Sequence, residues 1–174
     1  WLNESDQPAF LLVHVMEPHM DYQVPAPFNG RFTQDMPHTL EVPVTAHLPR
    51  ALSLREMDIS EHDRAYLRAA YDEEVLTADA ALGGLLDGLR TRKGWQALRM
   101  VVTSDHGEEF WERGWLGHTR TLHDELVRVP LIVRSPDVAP RTVSEPISLV
   151  AMVPTLLELL GLEADGSQAS SFAS

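Results

Sequence analysis

The sequence contains no cysteine and few aromatic residues. Among its 174 residues, Phe, Trp and Tyr together make up 7%. The absence of cysteine excludes a disulfide, a thiolate metal site and a cysteine nucleophile within this chain. No stretch approaches the roughly 18 consecutive apolar residues of a membrane-spanning helix. The first residues also lack a basic stretch followed by an apolar one, so we expect neither a membrane span nor a signal peptide in this chain.

Basic residues are scarce relative to acidic ones. The 14 Lys and Arg residues against 26 Asp and Glu residues give a net charge of −12. Because a nucleic-acid backbone binds to clustered basic residues, we expect no nucleic-acid partner. An anionic substrate would bind only where a local Arg, His or metal ion offsets the repulsion from this negative charge. The hydrophobic content of 44% is sufficient for a folded domain with a core.

The apolar pattern predicts an α/β fold with three strands and two helices. The predicted strands are Ala9–Val15, Met100–Thr103 and Pro130–Arg134. The predicted helices are an amphipathic one that starts after the N-cap Ser60 and stops near Gly94, and a second one at Leu149–Leu160 that stops at Gly161. A strand, a long helix and another strand form a βαβ unit, so we expect a largely parallel sheet.

Two segments lack this periodicity. Residues 16–59 contain six prolines, and a loop of that length inside a compact domain is usually functional or disordered. The tail Ala164–Ser174 is small and polar, and we expect residues 167–174 to be disordered.

Polar side chains follow two of the predicted strands. Asp105 and His106 come directly after the strand at Met100–Thr103 and Ser104, and His19 follows the strand at Ala9–Val15. Ligands bind at the carboxyl ends of parallel strands, and a carboxylate beside an imidazole can bind one divalent cation. For so short a motif, the alternative is that the aspartate caps a helical turn and the histidine packs.

The wider pattern resembles the sulfatase family of the alkaline-phosphatase-like superfamily. Residues 103–136, TSDHGEEFWERGWLGHTRTLHDELVRVPLIVRSP, are similar to the C-terminal signature of that family. The runs FLLVHVMEPHMD at 10–21 and PTLLELLG at 154–161 are similar to two further family motifs, in the family's order. The resemblance implies a three-layer α/β/α fold with a largely parallel sheet, of which residues 1–166 are the C-terminal part.

The resemblance also implies roles for four residues. Asp105 and His106 match two metal ligands, for Ca²⁺ in the first place and Mn²⁺ or Zn²⁺ as alternatives. His19 and His118 match histidines that contact the sulfate or phosphate group or assist the leaving group. A formylglycine nucleophile and a first pair of metal carboxylates are expected in an N-terminal half, because this chain has no Cys and no C/S-x-P-S/A-R motif.

Three functions are compatible with these features. The leading one is a fragment of a sulfuric ester hydrolase that is inactive alone and acts on an anionic sulfate or phosphate ester when complete. The second is a phosphodiesterase, phosphonate hydrolase or phosphoethanolamine transferase of the same superfamily. The third is a non-catalytic module that binds an anion or a partner chain.

We expect the fragment to associate with the missing N-terminal half or with itself. The sequence leaves open whether the complete protein is periplasmic, secreted or membrane-anchored.

Overall fold

The computed structural model describes residues 7–45, 47–53, 58–118, 120–163 and 169–173. The chain divides into two compact units. The first comprises Trp1–Arg92 with Asp105–Val129, and the second comprises Lys93–Ser104 with Pro130–Ser174.

Within the described residues, regular structure consists of short strands and helices of very different length. The helices are α1 (His47–Ser53), α2 (Glu61–Arg90), α3 (Asp124–Val127) and α4 (Met152–Leu159). The strands are β1 (Met100–Thr103), β2 (Glu109–Phe110), β3 (Leu116–Gly117) and β4 (Leu131–Arg134). Across the part of the chain described here, every helix is too short or too polar to cross a membrane.

Helix α2 is the predicted amphipathic helix, and its N-terminus is capped as the sequence indicates. The backbone N–H of Asp63 donates to Ser60 Oγ at 3.1 Å, and the Ser60 N–H donates to the Asp63 carboxylate at 3.2 Å. This reciprocal capping box satisfies two backbone donors at the helix start. The helix ends at Arg90 with Thr91 as its C-cap, before the predicted stop at Gly94.

The described part of the proline-rich segment 16–59 packs against α2 instead of projecting into solvent. Its buried residues Met20, Tyr22, Leu40 and Val44 form one apolar cluster with Leu67, Ala70, Phe110 and Leu116. The backbone N–H of Tyr22 donates to the carbonyl of Val44 at 2.9 Å and closes the segment on itself. The described part of this loop therefore contributes much of the core of the first unit.

Buried carboxylates of α2 hold this segment in place. Glu73, only 3% exposed, accepts backbone N–H groups from Gly30 at 3.1 Å, Phe32 at 2.7 Å and Thr33 at 2.8 Å. The hydroxyl of Thr33 donates to the same carboxylate at 2.9 Å. Burial opposes ionisation, but these donors hold the pKa of Glu73 below its ordinary value.

The second unit is built on one strand pair and the C-terminal helix. Strands β1 and β4 pair antiparallel, with Met100 opposite Arg134 and Thr103 opposite Leu131. Helix α4 confirms the predicted helix. It ends at Leu159 with Leu160 as its C-cap, and Gly161 follows with a φ of +69°, a value that suits glycine.

The predicted strand at Ala9–Val15 is wrong for this structure. These residues form no strand, and Phe10 and Leu12 are 76% and 80% exposed. A strand needs a hydrogen-bonded neighbour, and none pairs with this segment among the described residues. The expected largely parallel sheet is not confirmed, because both strand pairs described here are antiparallel.

The C-terminal tail is only partly described. Residues 164–168 and 174 lie outside the described residues, and these include 167, 168 and 174 of the expected disordered stretch 167–174. In the described part, the backbone N–H of Phe172 donates to Thr155 Oγ1 at 3.0 Å, and Phe172 is half-buried. This short stretch of the tail therefore contacts α4.

Candidate active site

A tight hairpin places His118 opposite Glu108. Strands β2 and β3 pair antiparallel with Glu109 opposite Gly117, so the next pair of positions in that register is Glu108 and His118. The chain reverses through residues 111–115 between the two strands. Gly117 has a φ of +100°, which residues with a side chain rarely adopt, so glycine permits the bend that leads into His118.

The three histidines singled out in the sequence lie together in the first unit. The ring centroid of His118 is 4.1 Å from that of His106, and the two rings are stacked at 28°. It is 5.2 Å from the ring centroid of His19, at 60°. His19 is exposed, while the side chains of His106 and His118 are 39% and 24% exposed. The cluster is therefore accessible to a ligand from solvent.

Each of these rings uses Nδ1 for a hydrogen bond within the protein. His118 Nδ1 lies 3.0 Å from Glu108 Oε1, His106 Nδ1 lies 2.8 Å from the carbonyl of Gly107, and His19 Nδ1 contacts the carbonyl of Met20. Carbonyl and carboxylate oxygens accept hydrogen bonds, so Nδ1 is the donor in each case. In a neutral ring, Nε2 is then the nitrogen with a lone pair, which is the form that binds a metal or takes a proton.

Asp105 stands beside His106 at the edge of this cluster. Its Oδ2 lies 3.7 Å from His106 Nε2, and its side chain is 77% exposed. The backbone N–H of His106 donates to Asp105 Oδ1 at 3.0 Å. Desolvation opposes ionisation, but the His106 charge, these backbone donors and the charge of His14 hold the pKa of Asp105 below its ordinary value. The carboxylate is therefore ionised at neutral pH and suited to a cation.

The donor set of this pair fits part of a metal site. Oδ2 of Asp105 and Nε2 of His106 are close enough to touch one ion, and a carboxylate with an imidazole suits Ca²⁺, Mn²⁺ or Zn²⁺. Over the described ranges, no group of three or more His, Asp or Glu residues is arranged to hold a metal. Two ligands fill only part of the coordination shell of such an ion.

Gly107 is required where the backbone leaves His106. A Cβ at this position would lie 2.1 Å from the carbonyl oxygen of Glu125. The Gly107 N–H donates to the carbonyl of Leu126 at 2.8 Å, which ties this turn to α3. The backbone therefore makes a tight turn after His106, and the close approach of two backbone segments is the reason that only glycine fits there.

Two further residues at the site were not singled out as functional in the sequence. The side chain of Glu108 is only 6% exposed and lies against His118. His14 is exposed and lies near enough to Asp105 to lower the pKa of that carboxyl. The hairpin register could have indicated the contact of Glu108 with His118, since it brings residues ten positions apart face to face.

The Sulfatase family model matches residues 1–162 of this chain. Among curated proteins, the chain is 28% identical to the choline-sulfatase of Rhizobium meliloti (strain 1021) over 170 residues, which cover 92% of this chain and 33% of that protein. Among solved structures, it is similar to the phosphonate monoester hydrolase of Agrobacterium radiobacter, with a TM-score of 0.78, 28% identity, and coverage of 99% of this chain and 39% of the other.

A third similarity is to a structure named BT4656 in complex with its substrate D-glucosamine-2-N,6-O-disulfate. Its TM-score is 0.58, with 28% identity over 72% of this chain and 27% of the other. These relatives fit the alkaline-phosphatase-like superfamily. The chain belongs to the Sulfatase family. It spans about a third of the length of the curated relatives it matches.

Proposed function

We propose that this chain is the C-terminal part of the catalytic domain of a metal-dependent sulfuric ester hydrolase, with residues 1–166 forming that part. The family assignment supports a hydrolase of this class. The observation that carries the proposal is the meeting of His19, His106 and His118 with Asp105 in one accessible cluster. The substrate is an anionic sulfate ester, in keeping with the sulfated sugar bound by one structural relative.

Asp105 and His106 are the proposed metal ligands of this chain, with Ca²⁺ the first candidate and Mn²⁺ or Zn²⁺ the alternatives. Oδ2 of Asp105 and Nε2 of His106 supply two donors, and the remaining ligands come from acidic groups outside the described residues. A bound divalent cation would polarise the ester oxygens and offset the charge that develops on them. Because Asp105 is already ionised, it does not have to release a proton before it binds a cation.

His19 and His118 are the proposed catalytic histidines. In their protonated forms both would donate from Nε2 to the equatorial oxygens of the ester, where negative charge accumulates during sulfuryl transfer. One of them would protonate the departing alkoxide as a general acid. Protonated His19 and His118, together with a bound cation, would offset the net charge of −12 that otherwise repels an anionic substrate.

The nucleophile is proposed to be a formylglycine in a part of the protein outside this sequence. The exposed apolar run from Phe10 to Met16 supports a partner that covers it, either the N-terminal half or a second copy of this chain. Sedimentation of the chain tests self-association, and the change Leu12→Lys should shift any oligomer toward monomer. A wild-type chain that stays monomeric at high concentration would exclude the second copy.

Inorganic sulfate and Ca²⁺ test the site without turnover. We expect sulfate to shift the imidazole resonances of His19 and His118 in NMR spectra, and His118→Ala to weaken this binding at least about tenfold. His62→Ala, which alters an exposed histidine at the start of α2, is the matched control and should leave it unchanged. Ca²⁺ should shift Asp105 and His106 weakly, and Asp105→Asn should abolish that shift. Equal responses in the control and the site variants would refute the assignment.

A phosphonate or phosphate ester is the second candidate substrate. The Agrobacterium radiobacter structure, with the TM-score of 0.78, is a phosphonate monoester hydrolase. The discriminating experiment compares hydrolysis of an aryl sulfate, an aryl phosphonate and a phosphodiester by the full-length protein. A preference for the phosphonate would overturn the sulfatase proposal while keeping the site. Sulfate binding without any hydrolysis would favour the non-catalytic module.

A further inference from the structure

Glu108 is a buried acid whose position no catalytic role so far explains. Its side chain is 6% exposed, and its Oε1 lies 3.0 Å from Nδ1 of His118. Burial of a carboxylate is costly unless a charged or hydrogen-bonding partner offsets it. The partner that faces Glu108 across the hairpin is the imidazole of His118.

Two tyrosines lie within electrostatic range of Glu108. The pKa of Tyr22 is raised first by its burial and then by the negative charge of Glu108, and the same two causes raise the pKa of Tyr71. The two tyrosine rings pack edge to face at 6.1 Å, and Tyr71 packs in the same way on Phe110 at 5.1 Å. The surroundings of Glu108 therefore include packed aromatic rings as well as His118.

The contact determines which nitrogen of His118 faces a ligand. An ionised carboxylate only accepts hydrogen bonds, so Nδ1 of His118 carries a proton in this pair. Nδ1 and Nε2 are on different sides of the imidazole, so Nε2 is directed away from Glu108. The stacked ring of His106 at 4.1 Å and the tilted ring of His19 at 5.2 Å restrict rotation of the same ring.

We propose that Glu108 is a positioning residue that fixes the ring orientation and the tautomer of His118, so that Nε2 is the nitrogen that takes up a proton and then donates to the anionic group of the substrate. The contact of Nε2 with a substrate anion rests on the proposed function. The control of the orientation and tautomer of His118 by Glu108 does not. Hydrogen bonds of this kind determine the tautomer of functional histidines in proteins. Glu108 acts through His118 and does not touch the substrate.

The tautomer of His118 can be measured directly by ¹⁵N NMR of the imidazole nitrogens in the whole chain. At about pH 8, where an ordinary histidine is neutral, we expect the wild-type protein to hold the proton on Nδ1. In Glu108→Ala the ratio of the two tautomers should shift toward Nε2–H by at least about tenfold, because a charge-assisted hydrogen bond is lost.

Glu108→Gln separates positioning from simple packing. The amide has the same size, and it can either accept from Nδ1–H or donate to a bare Nδ1. We therefore expect the His118 ring to keep its stack on His106, seen in ring-current shifts, while the tautomer preference is lost. Glu112→Gln changes an acid of the same hairpin that pairs with Arg68 at 3.3 Å instead of a histidine. This control should keep the wild-type tautomer.

The outcomes distinguish this proposal from the proposed function. A tautomer that is unchanged in both Glu108 variants, or that changes equally in Glu112→Gln, would overturn the positioning role. At about pH 5.5, where an ordinary histidine is protonated, inorganic sulfate added to the wild-type chain should move the Nε2 resonance of His118 more than the Nδ1 resonance. If the tautomer depends on Glu108 but sulfate moves neither resonance, the positioning role stands and the proposed function is the part that fails.

Discussion

The carboxylate of Asp63 is expected to make folding stability depend on acid pH. Asp63 is 2% exposed and accepts the backbone N–H of Thr39 at 2.6 Å and the hydroxyl of Ser60 at 2.5 Å. It joins the start of α2 to the proline-rich segment. Burial alone would raise its pKa, but the hydrogen bonds from Ser60 and Thr39 lower it from 3.8 to about 2.

The size of the effect follows from that difference in pKa. A carboxyl that titrates at about 2 in the folded protein and at 3.8 in the unfolded chain contributes about 2.5 kcal/mol to the free energy of unfolding. Because the folded pKa is the lower one, this contribution is fully present above about pH 4. It is lost as the pH falls through about 2, where the folded carboxyl also binds its proton.

The test compares the wild-type protein with Asp63→Asn from pH 7 to pH 2. At pH 7 we expect the variant to lose about 2–3 kcal/mol of unfolding free energy, since the amide carries no charge and replaces one acceptor oxygen with a donor. The difference between the two proteins should shrink as the pH falls below 4. Urea unfolding followed by circular dichroism at 222 nm measures both values, because α2 supplies most of the helical signal.

Glu61→Gln is the matched control for this experiment. Glu61 lies in the same first turn of α2, but its side chain is 86% exposed and pairs with Arg64 at 3.2 Å. Exposed pairs contribute little to stability, so we expect a change within about 0.5 kcal/mol at every pH. A difference between wild-type protein and Asp63→Asn that is constant from pH 7 to pH 2 would refute the role of the charge.

Two further sites give predictions of stability. Glu73→Ala removes the acceptor for the N–H groups of Gly30, Phe32 and Thr33, so we expect a loss of about 1.5–3 kcal/mol and faster hydrogen exchange of those amides. Unchanged exchange would contradict that role. Gly107→Ala forces a Cβ to within 2.1 Å of the Glu125 carbonyl and should cost at least about 3 kcal/mol in thermal unfolding. Gly84→Ala, where a Cβ meets nothing within 4 Å, should instead stabilise α2 by about 0.5–1 kcal/mol; similar effects of both changes would refute the close-approach argument.

Signals carried by neighbouring residues predicted much of this structure. Ser60 before Asp63 indicated the start of α2, and Gly161 indicated the end of α4, because caps depend on a few consecutive residues. The predicted strand at Met100–Thr103 is also confirmed, because a short run of apolar residues is likewise a signal carried by consecutive positions. Asp105, His106, His19 and His118 were found from local motifs, and the structure brings them together while their chemical roles stay predictions.

Pairing and burial were decided by contacts between residues distant in the sequence. Apolar periodicity at Ala9–Val15 specifies a surface that favours burial but provides no partner strand, so the segment is exposed here. The antiparallel pairing of β1 with β4 likewise depends on which strands meet. Glu73 and Asp63 resemble surface acids in the sequence, and only the folded chain brings backbone donors from residues 30–39 to their carboxylates.

The motifs by themselves indicated which residues to examine, one aspartate and three histidines that were predicted to serve an anionic ester and a cation. Only the tertiary structure decided that these side chains meet and which ring nitrogens form hydrogen bonds within the protein. The orientation of His118 depends on Glu108 across the hairpin and on the ring of His106. A hydrogen bond fixes a ring only when the fold supplies the acceptor at the right distance, and one-dimensional spacing does not contain that distance.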